Sequence, residues 1–254
     1  MRTLYANAWV VTMDDAGSEH AAGWVLVEGR AIAAVGAGEE PPHETRVDLG
    51  GAVLTPGLVN THHHLYQTLT RARAQQADLF TWLRELYPVW ARIDAEAEYA
   101  AARTGLAELA LSGCSTVFDH HYVFPRGREG ILEAEVQAAR ELGVRLVASR
   151  GSMDLGVSDG GLPPDELVEE IDGVLAETER LHGTLHEDGP GAWVQIAVAR
   201  MARWIGRPWR APSAVRPRPR GIVMGRGGVY LDGDARDRAR HAGPHRRSRP
   251  AVAA

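Results

Sequence analysis

The chain has 254 residues, of which 44% are hydrophobic, and a formal net charge of −5. This length can bury one large core or two modest ones, and no apolar run is long enough to span a membrane. The N-terminus has no basic region, apolar stretch and cleavage site in series, so no secretory signal is predicted. The single cysteine, Cys114, excludes internal disulfides, is interpreted as a small buried hydrophobe, and fits a cytoplasmic location.

Charge is unevenly distributed along the chain. Residues 200–254 contain fourteen Arg, three Asp and no Glu, a net charge of +11, so residues 1–199 carry −16. An acidic body argues against nucleic-acid binding, because neutralising phosphates requires a basic face.

Residues 1–55 form the first predicted unit. Segments rich in apolar and β-branched residues alternate there with short Gly- and Pro-containing loops, a pattern typical of strands. We predict a β-meander that is too small and too open at its edges to be stable alone.

Residues 56–199 alternate between predicted strands and helices. The predicted strands cover residues 54–62, 114–121, 144–151 and 192–199. The predicted helices between them cover residues 79–93, 94–113, 127–142 and 166–185. Asp94 and Asp165 are candidate N-caps, and Gly113 and Gly143 are candidate stops. This alternation predicts parallel βα units of an α/β fold.

Residues 200–254 show no amphipathic period and are rich in Arg, Pro, Gly and Ala. Such a segment can be a disordered basic arm. All four residue types also have GC-rich codons, and we favour the alternative that the reading frame has shifted.

Three consecutive histidines follow the first strand of this region, in "TPGLVNTHHHLYQ". Side chains alternate along a strand, so His62 and His64 point to one side and His63 to the other. Imidazoles two residues apart can share one metal ion, and at the C-terminal end of a barrel strand they would lie where active sites are built. The alternative is a polar loop with exposed histidines.

The stretch "LTPGLVNTHHHLYQTLTRA" resembles the first barrel strand of the amidohydrolase superfamily. It is most similar to the aminohydrolase branch, which includes guanine-type and cytosine-type deaminases and atrazine-degrading hydrolases. With "LFTWLRELYPVWARID" and "STVFDHHYVFP", it looks most like the 8-oxoguanine deaminases. The resemblance covers residues 3 to 199. It implies the N-terminal part of a (β/α)8 TIM-like barrel (residues 56–199), preceded by a partial β-sandwich (residues 1–55).

The resemblance also implies the chemistry. Zinc or another divalent metal would be bound by His62 and His64, together with a histidine and an aspartate from later strands. The metal activates a water molecule that attacks a ring carbon bearing an amine, and a glutamate transfers the proton. The implied partner is a small purine-like or triazine heterocycle, with no membrane or nucleic-acid role, and a full-length relative would form homo-oligomers.

Three further residues are candidates for substrate binding. The Gln67 amide could donate to and accept from a purine-like edge; the alternative is a solvated helix residue. Asp119 and His121 lie at the end of the second barrel strand and share a face by alternation, with His120 opposite; the alternative is structural hydrogen bonding. His182 and His186 are interpreted as solvated.

The later ligands are not found in this sequence. No H-x-x-E follows Ala199, and the family's remaining metal ligands are expected there. We therefore expect a truncated barrel, inactive by itself, with no catalytic residue assigned. The competing hypotheses are a non-enzymatic half-barrel that binds metal weakly or docks on another chain, and the same fold with triazine or amide hydrolase or dechlorinase activity.

Overall fold

The computed structural model describes residues 1–189, 191–200, 222–225 and 228–231. The N-terminal sheet contains β1 (Arg2–Val11), β2 (Glu19–Glu28), β3 (Ala31–Ala37), β4 (Thr45–Asp48) and β5 (Val53–Leu54). Alternate residues of β1 (Leu4, Ala6, Ala8 and Val10) are buried, as expected for a strand with one covered face.

The predicted meander is confirmed for three strands and wrong for two. β1, β2 and β3 pair antiparallel in sequence order. β4 and β5 instead pair parallel with β1, on its other edge. The connection over residues 38–44 is long enough to cross to that edge, which a tight hairpin could not do.

The second sheet contains β6 (Leu58–His63), β7 (Cys114–Asp119), β8 (Arg145–Ser152), β9 (Val194–Arg200), β10 (Ile222–Gly225) and β11 (Gly228–Leu231). The first four strands are parallel and adjacent in chain order, which confirms the predicted βα units.

The incomplete barrel predicts an unpaired edge on β9. That prediction is wrong at Ala197 and Val198, which β10 pairs in parallel, and β11 then pairs antiparallel with β10. The rest of the predicted tail over residues 200–254 lies outside the described residues.

The helices follow the predicted order. They are three 3₁₀ helices (Leu65–Thr70, Val157–Asp159 and Asp165–Leu167) and the α-helices α1 (Leu79–Trp90), α2 (Ala95–Leu111), α3 (Ile131–Leu142) and α4 (Ile171–Leu185). Asp94 caps α2 as predicted, its carboxylate accepting from Ala97 N at 3.0 Å, and Gly143 ends α3 in the left-handed conformation. The predicted cap at Asp165 is wrong. Its carboxylate accepts from Ser158 N and Oγ in the preceding loop, and α4 begins only at Ile171.

The largest core lies between the second sheet and helices α2 and α3. It includes Cys114, as predicted, with Val117, Leu146 and Ile196 from the sheet. The opposite sheet face carries a small cluster around Phe118 and Ala197. Within the described part of the chain, no helix has the length and apolar character needed to cross a membrane. The core therefore marks the helix side of the sheet, and the Phe118 side is the interior of the barrel.

Candidate functional site

Three imidazoles converge where β6 and β7 end. The His62 ring stacks on the His120 ring with centroids 4.3 Å apart, and the His64 ring meets the His62 ring edge-on at 5.0 Å. The centroids of His64 and His120 are 5.9 Å apart. Neighbouring parallel strands bring their C-terminal ends to one edge, which explains why residues 56 or more positions apart in the chain meet here.

His64 is held in the form that a metal ligand needs. Its Nδ1 lies 2.8 Å from the His120 carbonyl oxygen, so Nδ1–H donates and the lone pair is left on Nε2. A ligating histidine commonly donates its other N–H in this way. Burial lowers the pKa of His64 to about 4, so the ring is neutral at neutral pH. With the exposed ring of His62 beside it, this pair fits two ligands of one metal ion.

His120 occupies the barrel-facing position at the end of β7. Its ring contacts Phe118 on the interior face, with centroids 4.5 Å apart, and its Nε2 lies 3.3 Å from the Thr61 carbonyl oxygen. Burial lowers the pKa of His120, so this third ring is neutral as well. Alternation along β7 predicts that His120 lies on one face and Asp119 and His121 on the other. The structure shows that the face of His120 is the interior one.

Asp119 and His121 do share a face, but it is the face covered by helices α2 and α3. Both side chains are fully buried. The structure does not bring them into the imidazole group, because alternation places Asp119 with Val117 in the core. Their predicted contact with substrate stays a prediction, and this burial gives it no support.

Gln67 lies in the 3₁₀ helix that directly follows His64. Its Nε2 donates to the Tyr66 hydroxyl at 3.3 Å, and the side chain is half-buried. The rings of Tyr66 and Tyr122 lie 6.1 and 5.4 Å from the His64 ring and form an aromatic wall beside it. Gln67 therefore lies close in the chain to His62 and His64, and its substrate role stays a prediction.

His186 is not solvated, contrary to the sequence interpretation. Its side chain is 3% exposed, and its Nδ1 accepts a hydrogen bond from Ile196 N at 3.0 Å. Its ring stacks on His182 with centroids 4.2 Å apart. Both histidines belong to the junction between α4 and β9, far along the chain from the imidazole group.

A second ionisable cluster lies on the helix side of β7. It consists of Glu98 from α2, Glu135 from α3, and Asp119 and His121, all fully buried. His121 Nδ1 lies 3.6 Å from Glu98 Oε1, 3.9 Å from Glu135 Oε2 and 4.0 Å from Asp119 Oδ2. The ligand atoms of Glu98, His121 and Glu135 lie within 4.8 Å of one another and could hold a metal ion.

Burial dominates the electrostatics of this second cluster. It raises the pKa of Asp119 to about 8 and raises the pKa of Glu135. Burial alone would lower the pKa of His121, but Glu98, Asp119 and the Val123 carbonyl together outweigh it, and the pKa is raised. Asp119 is further tied by Leu65 N, which donates to Oδ1 at 2.6 Å.

Sequence reasoning missed Glu98 and Glu135, although a signal was present. Glu98 lies three and four residues before the buried Ala101 and Ala102, and Glu135 lies four residues after the buried Ile131. A carboxylate on the apolar stripe of a helix indicates a buried role.

Comparison with known proteins gives concordant matches. The sequence profile of the Amidohydrolase family matches residues 53–205. The chain is 49% identical over 187 residues to the 8-oxoguanine deaminase of Pseudomonas aeruginosa, covering 72% of this chain and 42% of that protein. It is 37% identical over 184 residues to the hydroxydechloroatrazine ethylaminohydrolase of Pseudomonas sp. strain ADP, covering 70% and 38%. The chain thus spans about two fifths of the length of these relatives.

A solved structure shares the fold. An atrazine chlorohydrolase variant from Arthrobacter aurescens TC1, solved with zinc and atraton, superposes with a TM-score of 0.72 at 32% identity. The match covers 78% of this chain and 46% of that one, which confirms the predicted TIM-like α/β class. Profile, sequence relatives and fold agree, and the chain belongs to the amidohydrolase family.

Proposed function

We propose that this chain carries the N-terminal half of the catalytic barrel of a metal-dependent aminohydrolase. The reaction is hydrolytic deamination of a purine-like or triazine ring, most similar to that of the 8-oxoguanine deaminases. The observation that carries the proposal is the convergence of His62 and His64 at the C-terminal ends of β6 and β7, with His64 Nδ1 tied to the His120 carbonyl.

Each residue of the group has a role in this proposal. His62 and His64 would hold a zinc ion or similar divalent metal, which when bound activates a water molecule for hydrolysis. His120 supports both, because its ring stacks on His62 and its carbonyl fixes the tautomer of His64. Gln67 would contact the heterocycle beside the Tyr66–Tyr122 wall.

The described residues supply only two of the metal ligands that the proposed site needs. Two imidazoles do not supply the affinity of a full ligand shell, and H-x-x-E does not occur after Ala199. We therefore propose that residues 1–254 by themselves release no ammonia. A half-barrel that docks on another chain, and the same fold with triazine or amide hydrolase or dechlorinase activity, are the alternative functions. A cytoplasmic location and homo-oligomers of a longer chain stay predictions.

A chimaera tests the proposed function while a relative supplies the metal ligands that the described residues lack. Residues 1–199 of this chain replace the matching part of the Pseudomonas aeruginosa relative, which supplies the later strands. We expect zinc-dependent ammonia release from 8-oxoguanine. His62→Asn or His64→Asn should reduce it by more than the roughly 10–100-fold that loss of an outer partner costs.

His63→Asn is the matched control, because His63 points to the other side of β6, toward Asp119, with 3.9 Å between Nδ1 and Oδ1. This variant should keep most of the activity. A chimaera that folds and binds zinc, yet releases ammonia from neither 8-oxoguanine nor guanine and no amine from a triazine, would refute the proposal. Equal losses in all three histidine variants would refute the assigned roles.

A further inference from the structure

We propose that the chain holds a second, buried site for a divalent transition-metal ion, with Glu98, His121 and Glu135 as ligands and Asp119 beside them. The site lies on the helix side of β7, whereas His62 and His64 face the barrel interior. It joins α2, α3 and the end of β7 at one point. The inference does not depend on the proposed deaminase activity.

The state of His121 is the first argument. Its Nε2 lies 2.8 Å from the Val123 carbonyl oxygen, so Nε2–H donates there. The remaining nitrogen, Nδ1, is buried, has no hydrogen-bond partner, and faces carboxylate oxygens of Glu98, Glu135 and Asp119. Either a proton on Nδ1 or a metal cation can offset the carboxylate charge at this point, and the distances within the cluster distinguish the two. His121 thus has the same arrangement as a metal ligand: one N–H given to a carbonyl and the other nitrogen directed at the site.

The distances are the second argument. A proton shared between His121 and a carboxylate would bring the two atoms to about 2.7–3.2 Å. The three separations are instead 3.6, 3.9 and 4.0 Å. Ligands at about 2.1 Å from a tetrahedral metal ion lie about 3.4 Å from each other. The cluster is therefore too open for direct hydrogen bonds. Around an ion, the two contacts of His121 with the glutamates would shorten by about 0.2 and 0.5 Å, and the widest separation of ligand atoms, at most 4.8 Å, by up to about 1.4 Å.

Unsatisfied oxygens are the third argument. Both carboxylate oxygens of Glu98, both of Glu135, and Asp119 Oδ2 are buried without a hydrogen-bond partner. Buried carboxylates in this state are costly unless they are paired or coordinate a metal. No Lys or Arg forms an ion pair with them among the described residues. A metal ion at the centre of the cluster would give both glutamates and His121 a partner at once.

The donor set selects the class of metal. One imidazole nitrogen with carboxylate oxygens suits Zn²⁺, Mn²⁺ or Fe²⁺, and the imidazole disfavours Mg²⁺ and Ca²⁺, which take oxygen ligands. The rings of Tyr66 and Phe124 lie 5.1 and 4.7 Å from the His121 ring and shield the cluster from solvent. A closed site of this kind is structural, and it would fix the end of β7. His120, the residue directly before His121, lies there and contacts His62.

The test uses the full chain with the first pair of ligands removed. In the double variant His62→Asn/His64→Asn, we expect one equivalent of Zn²⁺ to remain after dialysis, measured by elemental analysis. X-ray absorption should show one imidazole and otherwise oxygen ligands. Adding Glu98→Gln or Glu135→Gln should remove this ion, whereas Glu96→Gln, an exposed carboxylate on the same helix, should not.

Two results would overturn the site. One is a folded His62→Asn/His64→Asn variant that retains no Zn²⁺ or Mn²⁺ and whose melting temperature is unchanged by either ion. The other is an absorption spectrum without imidazole. Because these readouts use the double variant itself, they decide the matter even if the glutamine variants fail to fold. They are also independent of ammonia release, so failure of the proposed function is seen separately.

Discussion

His186 links protonation of one imidazole to the stability of the barrel. Its Nδ1 accepts from the backbone N–H of Ile196, which is 2% exposed in β9. Burial, and then the charge of His182, lowers the pKa of His186 below its usual value near 6.5. The folded state therefore binds fewer protons than the unfolded state, so stability is present above about pH 6.5 and is lost as the pH falls through the lowered pKa.

We predict that acidification from pH 8 to pH 5 destabilises the protein partly through this residue. Protonation of Nδ1 leaves the Ile196 N–H without an acceptor, which costs about 1–3 kcal/mol. The measurement is the free energy of unfolding by urea at each pH. His186→Asn is the control, because an amide oxygen replaces the acceptor without titrating. If the difference between wild type and this variant is the same at pH 8 and pH 5, the prediction fails.

At the scale of elements, the packing of α2 against the turn that carries the histidines depends on Gly105. A methyl group at Gly105 would lie 2.9 Å from Leu65 Cδ2, 3.2 Å from Thr68 Oγ1 and 3.7 Å from His63 Cε1. Leu65 is fully buried, so it has little room to move. The missing side chain lets α2 approach the 3₁₀ helix that follows His64.

Alanine substitutions in two helices should therefore have opposite effects. In α2, Gly105→Ala gains helix propensity but forces overpacking, and we expect a net loss of about 1–3 kcal/mol in unfolding free energy. In α4, Gly183→Ala meets no atom within 4 Å and should gain up to about 1 kcal/mol. Thermal and urea unfolding of both variants measure this. If both variants are more stable than the wild type, Leu65 and Thr68 can move to accommodate a methyl group at position 105, and the predicted overpacking does not occur.

The ends of helices and strands were predictable wherever residues close in the chain determine them. Asp94 begins α2 and Gly143 ends α3 as expected, because capping depends on a few neighbouring residues. Asp165 was misassigned because its carboxylate bonds to Ser158 in a loop, a contact that spacing does not reveal. The alternation of β7 correctly separated His120 from Asp119 and His121, but only the packing of the helices shows which face is the interior.

At the scale of the whole molecule, a three-residue stack ties the N-terminal sheet to the barrel. Two guanidinium groups lie over the Trp193 ring, that of Arg30 at 4.7 Å and that of Arg145 at 5.1 Å from its centroid. Arg30 follows β2, Trp193 precedes β9, and Arg145 begins β8. The stack therefore lies at the N-terminal end of the barrel strands, opposite the histidines, where barrel residues contribute to stability.

Loss of this stack should loosen the junction without disturbing His62 and His64. Arg30→Ala removes one cation–π contact and the hydrogen bond that Nη2 donates to Gly191 O at 2.8 Å. Together these contribute about 1–2 kcal/mol. Such a change corresponds to roughly 5–30-fold faster amide hydrogen exchange in β3 and in residues 191–193, if the junction opens as a unit.

Arg2→Ala is the matched control, since Arg2 pairs with Glu28 inside the same sheet at 3.9 Å. It should speed exchange in the N-terminal sheet and leave residues 191–193 unchanged. If Arg30→Ala alters only β3 and not residues 191–193, the sheet and the barrel are not coupled through this stack. Coupled exchange would instead mean that the N-terminal sheet stabilises the end of the barrel opposite His62 and His64, because both sides of the junction would then open together.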